Sequence, residues 1–310
     1  THGEEGLNHI RDQARILAPV LQREKEFEVL NGLIGALLRT RQDKLSTVQG
    51  RARAAGAPLD PACVGRLVTL ADHLQARAPL SIADRDATPG RKTSGAFIEA
   101  YFSNFIEGTE FAVNEAVEIV FEGKMPDARP EDGHDVLGAY LQLVDLGPRA
   151  AGARGERHRI LMDARSSVQP GQFKTRTNKA GDTTFVAPDR VEGTLREGVS
   201  IFESLKDPFS RAVFVHFLLS DVHPFNDGNG RLSRIMMTKE LMAGGLSRIV
   251  IPTVFREDYL DALRALSRRN EPSILAMPNP ALVIETLNGT PAPLDYWQAL
   301  RRDQSAPMPI

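Results

Sequence analysis

The chain has 310 residues, of which 42% are hydrophobic and 25% charged, so it is long enough for one large domain or two modest ones with a buried core. The formal net charge of -2 argues against sequence-independent binding of nucleic acid, which usually requires a basic domain. The single cysteine, Cys63, excludes an internal disulfide and gives no sign of an oxidising compartment. No apolar run is long enough to cross a membrane, so we expect a cytoplasmic protein.

The N-terminal part of the chain is dominated by helical patterns. Apolar residues recur at helical spacing over residues 8–48, which predicts one or two amphipathic helices. A stretch with glycine and proline follows at 50–61, and a further helix is predicted at 62–76. Residues 79–95 combine proline and glycine with charged residues and are interpreted as an exposed connection.

The middle of the chain continues this helical pattern. Three further helices are predicted there, at 96–107, 113–121 and 134–146. Gly108 ends the first of them, because glycine is typical just after a helix. Residues 126–133 and 147–155 are interpreted as loops, and the glycines of the second loop lack the spacing of a phosphate-binding fingerprint.

Residues 171–188 differ from the rest of the chain. Threonine, phenylalanine and valine are concentrated at 173–177 and 183–186, and these residue types favour strands. Gly181 lies between the two stretches and indicates a hairpin turn. An isolated hairpin is marginally stable alone, so it is either packing decoration or a working flap. The pattern alone slightly favours decoration.

Helical patterning returns in the C-terminal half. Four helices are predicted there, at 191–205, 210–219, 231–243 and 257–270. The proline-containing tail after Pro278 is interpreted as loosely organised. The fold class that follows is all-α, or mainly helical, with one small β-hairpin.

A dense turn cluster separates two of these helices. Pro224 ends the first helix, because a proline disfavours the helical conformation of the residue before it. Residues 226–230 are glycine, asparagine and aspartate, which adopt turn conformations readily. The loop leads into a helix N-terminus, where unpaired backbone N–H groups and the positive dipole end attract an anion.

The side chains around this loop suit a nucleotide. Arg231 and Arg234 share a face of the first helical turn, where cations are unfavourable unless an anion lies between them and the loop. Asp227 is a natural oxygen ligand for the Mg²⁺ that accompanies a triphosphate. His223, at the loop entrance, can accept a proton from a hydroxyl. Each feature alone is ordinary, but their combination favours a phosphate site.

Residues 223–234 resemble the signature of the Fic (Fic/DOC) family, His-x-Phe-x-Asp/Glu-Gly-Asn-Gly-Arg-x-x-Arg, at every defined position. The resemblance extends from about residue 103 to about residue 270. It implies transfer of AMP from ATP to a Ser, Thr or Tyr hydroxyl of a target protein. In this reading His223 is the base, Asp227 holds Mg²⁺, and the Asn229 side chain supports the α-phosphate. The implied nucleotide-binding residues are Gly228, Asn229, Gly230, Arg231, Arg234 and, near the adenine, Tyr259.

The resemblance also gives the hairpin a function. The family has a flap at this place, which pairs with an extended segment of the target protein, a form of strand addition. The implied target-docking residues are Phe173, Lys174, Thr175 and Phe185. Lys174 departs from the family, in which arginine is common here. Gly230 favours AMP transfer, because the kinase-like branch of the family has a lysine at this position.

A second family motif, Ser/Thr-x-x-x-Glu-Gly/Asn, matches Ser103, Glu107 and Gly108. A glutamate near a helix C-terminus meets an unfavourable dipole, which a cation would correct. In the family that cation is the arginine at the position of Arg234, and the glutamate takes the place of the γ-phosphate. The alternative is an ordinary surface glutamate before a glycine cap.

The sequence therefore predicts an autoinhibited protein adenylyltransferase that uses ATP and Mg²⁺ and also modifies itself. A bifunctional or mainly AMP-removing enzyme and a non-catalytic nucleotide-binding module are the alternatives, and the intact His223 argues against the module. Homo-oligomerisation is left open. The expected organisation is an N-terminal helical region with linker at 1–95, an inhibitory helix at 96–110, a Fic core at 111–245 with the flap hairpin at 171–188, and a C-terminal helical extension and tail at 246–310.

Overall fold

The computed structural model describes residues 3–40, 45–78, 89–146 and 154–272. Within these ranges the protein is mainly helical with one two-stranded hairpin, which confirms the predicted fold class. The helices are α1 (Gly3–Leu21), α2 (Glu24–Leu37), α3 (Val48–Ala54), α4 (Pro61–Gln75), α5 (Pro89–Ile106), α6 (Val113–Val117), α7 (Pro130–Val144), α8 (Arg154–Leu161), α9 (Val191–Ser204), α10 (Pro208–Val222), α11 (Asn229–Ala243) and α12 (Arg256–Arg269). The strands are β1 (Lys179–Ala180) and β2 (Thr183–Thr184). None of the described helices is long and apolar enough to cross a membrane.

Helix α10 lies at the centre of the core. It starts at an N-cap, where the Asp207 carboxylate accepts a hydrogen bond from the Ser210 backbone N–H at 2.8 Å. Nearly all of its residues are buried, and the Phe214 and Phe217 rings are fully enclosed. Because α10 is apolar on every side, α4, α9 and α11 pack around it. This packing fixes the position of the loop between α10 and α11.

Part of the predicted N-terminal region is built into this core. The Asp60 backbone N–H donates to Thr194 Oγ1 at 2.8 Å, which joins the start of α4 to α9. Arg66 donates two hydrogen bonds, at 3.0 and 2.8 Å, to one carboxylate oxygen of the buried Asp221 on α10. Gly193 lies so close to the backbone carbonyl of Pro58 that a side chain there would collide with it. Helix α4 is therefore held by polar contacts as well as by apolar packing.

The hairpin is shorter and lies later in the chain than predicted. The strands are only β1 and β2, paired antiparallel with Lys179 opposite Thr184 and Ala180 opposite Thr183. The predicted first strand at 173–177 is wrong. The backbone of this segment bonds to the loop after α10 and not to a second strand, since the Lys174 N–H donates to the carbonyl of Pro224 at 2.9 Å.

Three other predicted boundaries also need correction. The connection predicted at 79–95 is helical from Pro89 onward, and residues 79–88 lie outside the described ranges. Helix α7 begins at Pro130, inside the predicted loop 126–133, because proline is well suited to the first helical turn. Helix α8 begins at the end of the predicted loop 147–155, of which residues 147–153 are outside the described ranges. The predicted loosely organised tail after residue 278 also falls outside them.

Candidate active site

His223 is the C-cap of α10 and has a left-handed backbone conformation with φ of 52°. Its Nδ1 lies 3.2 Å from the Ser220 backbone carbonyl, which can only accept a hydrogen bond. The geometry therefore assigns the proton to Nδ1 and makes Nε2 the nitrogen with a lone pair. The Phe185 ring stacks on the imidazole at a centroid distance of 3.8 Å and an angle of 7°. His223 thus has one covered face and one nitrogen suited to accepting a proton.

The environment keeps this histidine neutral. Burial lowers the pKa of His223 to about 4, and the Lys174 ammonium lowers it further, while the bond to the Ser220 carbonyl and the Glu107 and Asp227 carboxylates oppose this. At neutral pH the imidazole is therefore unprotonated. This is the protonation state that a general base requires.

The loop after His223 is closed by reciprocal bonds between Phe225 and Asn229. The Phe225 N–H donates to Asn229 Oδ1 and the Asn229 Nδ2 donates to the Phe225 carbonyl, both at 2.9 Å. The Asn229 side chain, predicted to support a phosphate, is used within the loop itself. Gly228 has φ of 75°, and a side chain there would meet Met162. Only glycine fits this position, which precedes the N-terminus of α11.

Arg231 is buried beneath the loop. Its guanidinium forms an ion pair with Asp135 on α7 and lies 3.6 Å from the Asp227 carboxylate. Burial raises the pKa of Asp135, although Arg231 and Arg165 both act to lower it. Asp135 was not predicted from the sequence, because α7 is far from the motif along the chain. Its carboxylate fixes Arg231 before any nucleotide binds.

Arg234 is the most connected cation of the site. Its guanidinium donates to Ser103 Oγ and to the Ser103 carbonyl, both at 2.9 Å, and to the Tyr259 hydroxyl at 3.2 Å. It also forms a short ion pair with Glu107 Oε1. Burial raises the pKa of Glu107, but the Arg234 guanidinium outweighs it and holds this pKa below its usual range. The Tyr259 hydroxyl in turn lies 2.8 Å from Nε2 of His216. The structure therefore brings Ser103, Glu107, Arg234 and Tyr259 together.

Glu107 lies directly against the N-terminus of α11. The place where a Gly230 side chain would begin is taken by the Glu107 carboxylate, with Arg234 Nη1 close by. Glu107 follows the last residue of α5, and Gly108, with φ of 90°, ends the turn. The Glu107 carboxylate therefore lies at the N-terminus of α11, a position that favours an anion.

The hairpin residues divide into two groups. Phe173 is 41% exposed and Thr175 is also exposed, so both face outward. The Lys174 side chain is only 3% exposed, and its ammonium donates to Asn178 Oδ1 at 2.7 Å and the Val222 carbonyl at 3.3 Å. Lys174 was predicted as a target-docking residue, but its side chain lies inside the protein. Its ammonium satisfies buried acceptors instead.

Asp227 is the residue expected to hold a metal. Its side chain is 52% exposed, and its Oδ1 accepts a hydrogen bond from the Gly228 N–H at 2.6 Å. Within the described part of the chain, no three histidine, cysteine, aspartate or glutamate side chains cluster as a metal site. A magnesium ion here would accordingly need oxygens from a bound nucleotide, which is its usual mode of binding.

The loop after His223 lies in a segment that matches a known protein family. Residues 155–241 match the model described as the Fic/DOC family. Over this segment the chain matches the Fic/DOC family. This match includes the loop after His223 and both arginines of α11.

Curated relatives of the chain are named as protein adenylyltransferases. Protein adenylyltransferase fic-1 of Caenorhabditis elegans is 26% identical over 181 residues, which are 54% of this chain and 36% of the relative. Protein adenylyltransferase Fic of Culex quinquefasciatus is 27% identical over 201 residues, or 59% and 40%. The chain thus spans about two fifths of the length of these relatives.

Solved structures show the same fold. A Fic domain containing signaling protein from Bacteroides thetaiotaomicron gives a TM-score of 0.52 at 19% identity, over 78% of this chain and 96% of the other. Fic-1 from Caenorhabditis elegans gives 0.52 at 17% identity, over 98% and 100%. At 17–19% sequence identity, the similarity to these two structures shows a shared fold only.

The Fic domain contains a buried histidine that sequence reasoning missed. His158 on α8 stacks on Phe225 at a centroid distance of 3.8 Å. Its Nε2 lies 2.9 Å from the Asp227 carbonyl, and its Nδ1 accepts from the Gly171 N–H at 2.8 Å. These partners specify the neutral tautomer with the proton on Nε2, and burial lowers the pKa of His158 accordingly. His158 therefore joins α8, the start of the flap and the motif loop.

Proposed function

We propose that this chain is a protein adenylyltransferase that moves AMP from ATP to a hydroxyl of a target protein, and that Glu107 restrains it. The observation that supports this most directly is that one short loop joins a neutral His223, at the end of α10, to the N-terminus of α11, which carries Arg234. The relatives' names as adenylyltransferases support the reaction type. ATP is the substrate in this proposal.

The proposed reaction needs one group that accepts a proton and one site that binds the phosphates of ATP. Nε2 of His223 takes the proton from the target's Ser, Thr or Tyr hydroxyl, and the hydroxyl oxygen attacks the α-phosphorus. The bond from that phosphorus to the β-phosphate oxygen breaks, and pyrophosphate leaves. Residues 228–230 offer backbone N–H groups to the phosphates, while Arg231 and Arg234 offset their charge. Positioning and charge stabilisation are the main contributions of the protein.

We propose Asp227 as the Mg²⁺ ligand within this site. Its half-exposed carboxylate, at the N-terminus of α11 and next to Arg231, fits a cation shared with nucleotide phosphates. When bound, the ion supplies neutralisation of phosphate charge. The Asp227 carbonyl is held by His158, which restricts where the carboxylate can reach.

Residues 96–110 are proposed as an inhibitory segment. Glu107 competes with a γ-phosphate for Arg234, because both are anions that require the same guanidinium. The rest of α5 is fastened to the core. Glu99, buried on α5, accepts hydrogen bonds from Thr238 on α11 and from Arg248. Glu107 can therefore leave Arg234 by a local movement of the helix end, while α5 stays anchored.

The remaining regions are assigned on the same basis. We propose residues 111–245 as the catalytic core, 171–188 as its target-docking flap, and 1–95 and 246–310 as flanking regions. Of the predicted docking residues, Phe173 and Thr175 are exposed, so a target segment can reach them. Phe185 belongs to the site rather than to the outer surface, because it covers His223.

The test uses four proteins: the parent chain, Glu107→Ala, Glu107→Ala with His223→Ala, and Glu110→Ala as a control for loss of a nearby exposed carboxylate. Each is incubated with Mg²⁺ and ATP labelled on the α- or γ-phosphate. We expect protein-bound label from the α-position only, strongest in Glu107→Ala and absent without His223. Label from the γ-position would contradict AMP transfer. Absence of label from every variant would favour AMP removal or a non-catalytic module.

A further inference from the structure

The flap is attached to the His223 loop through a buried lysine. Lys174 has a main-chain N–H that donates to the Pro224 carbonyl at 2.9 Å and an ammonium that donates to the Val222 carbonyl at 3.3 Å. These two carbonyls belong to the residues on either side of His223. One flap residue therefore bonds to the backbone both before and after the histidine.

Asn178 extends this attachment. Its Oδ1 accepts from the Lys174 ammonium at 2.7 Å, and its Nδ2 donates to the Phe225 carbonyl at 2.9 Å. Its own carbonyl accepts from the Phe185 N–H at 3.2 Å. The Asn178 side chain thus connects Lys174 to the motif loop, while its backbone places the residue that covers His223.

These bonds act on a conformation that needs support. His223 has φ of 52°, which is unusual for a residue other than glycine and costs free energy unless its surroundings hold it. Pro224 has no backbone N–H to donate, so the main chain directly after His223 bonds to its surroundings only through a carbonyl. The flap supplies donors to three carbonyls of this loop, those of Val222, Pro224 and Phe225.

Lysine at position 174 also places a charge near the imidazole. Its ammonium lies 5.9 Å from the centroid of the Phe185 ring, which stacks on His223. The other charged groups that act on His223 are Glu107 after α5 and Asp227 in the loop. Burying a lysine is costly, so it requires acceptors, and an apolar side chain would leave Asn178 Oδ1 and the Val222 carbonyl without this donor.

We propose that Lys174 and Asn178 are positioning residues, which fasten the flap across the His223 loop and hold Phe185 against the imidazole. The consequence for transfer rests on the proposed function, but the consequence for structure does not. Loss of the Lys174 side chain removes the donor to the Val222 carbonyl, and loss of the Asn178 side chain removes one donor to the Phe225 carbonyl. Either loss weakens the attachment and lets the flap separate from His223. The base is then misplaced and solvated, although the nucleotide site on α11 is untouched.

The test compares four variants in the Glu107→Ala background: Lys174→Met, Lys174→Arg, Asn178→Ala and, as a control, Lys206→Met. Lys206 is an exposed lysine in the turn before α10, away from the site. Three quantities are measured: hydrogen exchange of the Phe185 amide, the NMR titration midpoint of the His223 imidazole, and kcat and ATP KM for self-modification. The histidine signal is assigned by its loss in His223→Ala.

In Lys174→Met and Asn178→Ala we expect the Phe185 amide to exchange at least about tenfold faster. Lys174→Met should move the His223 midpoint upward, because an ammonium that opposes protonation is lost and solvent gains access. We expect kcat to fall by about ten- to a hundredfold with ATP KM changed by less than about twofold, since misplacement affects chemistry and not nucleotide binding. Lys174→Arg, which retains charge and donors, should recover most of kcat, and Lys206→Met should equal the parent.

Parent-like exchange and an unmoved midpoint in both Lys174→Met and Asn178→Ala would overturn the proposal. A change in ATP KM without a change in kcat would also overturn it. If Lys174→Met fails to fold, Asn178→Ala and Lys174→Arg still decide the matter. If no variant transfers AMP, exchange and titration test the flap attachment independently, and only the proposed function fails.

Discussion

Replacing Glu107 by alanine is expected to raise the affinity for ATP. The Glu107 carboxylate bonds to Arg234 and lies over Gly230, where the proposed function places a phosphate. A nucleotide must therefore exchange this contact for its own. The cost of that exchange sets the size of the effect.

The magnitude follows from one hydrogen-bonded ion pair. A hydrogen bond to a charged group contributes about 1.5–3 kcal/mol net. The Glu107 side chain is 36% exposed, so solvent screens the pair and reduces this contribution to about 1–2 kcal/mol. This corresponds to a Kd for ATP about 5- to 30-fold lower in Glu107→Ala. Arg234 keeps its bonds to Ser103 and Tyr259, so it remains in place.

The measurement is isothermal titration of Mg²⁺-ATP into Glu107→Ala and its parent, both with His223→Ala so that no transfer consumes the nucleotide. Glu110→Ala, which removes an exposed carboxylate three residues further on, is the control and should behave as the parent. A Kd for ATP that differs by less than about twofold between Glu107→Ala and the parent would refute the competition argument.

Two further predictions concern stability. Asp135→Asn removes the buried carboxylate charge that pairs with Arg231 and Arg165 and leaves Arg231 only the more distant, exposed carboxylate of Asp227, so the free energy of unfolding in urea should fall by about 3–5 kcal/mol. Asp132→Asn, with a side chain that is 30% exposed, should cost about 1 kcal/mol or less, and equal losses would contradict a buried pair. Burial lowers the pKa of His216 to about 3 and that of His223 to about 4, so below pH 6.5 the unfolded chain binds protons that the folded protein does not. The unfolding free energy should therefore fall as the pH drops from about 6.5 toward 4, by about 1.4 kcal/mol per pH unit for each histidine. In His223→Ala the unfolding free energy should fall less steeply, by about 1.4 kcal/mol per pH unit less than in the parent. An unchanged slope would mean that His223 titrates normally in the folded protein.

Residues 223–234 could be predicted because their chemistry is contiguous in the chain. The end of α10, the glycine-rich loop and the two arginines of α11 follow one another, so local rules for helix ends place them together. The helical class was also predictable from apolar periodicity. Glu107 was connected to Arg234 only through resemblance, since nothing local indicates which cation a helix end will meet.

The residues that support the motif could not be predicted in this way. His158 and Asp135 come from α8 and α7, and their contacts with the motif depend on how those helices pack. The hairpin was misplaced for a related reason. The residue types at 173–177 favour a strand, but the hydrogen bonds that Lys174 makes to the His223 loop outweigh this preference. Such bonds depend on the tertiary structure, which the local sequence does not indicate.

The contacts of Arg234 explain why the proposed inhibition can be both firm and reversible. Four hydrogen bonds hold the guanidinium, and only the one to Glu107 belongs to a half-exposed side chain at a helix end. The two bonds to the buried Ser103 and the bond to the half-buried Tyr259 fix the orientation of the cation. When Glu107 is lost, the Arg234 guanidinium already points at the N-terminus of α11. Binding of an anion there then requires little reorganisation of Arg234. If these bonds did not hold Arg234, removing Glu107 would leave a mobile guanidinium, and the expected gain in ATP affinity would be lost.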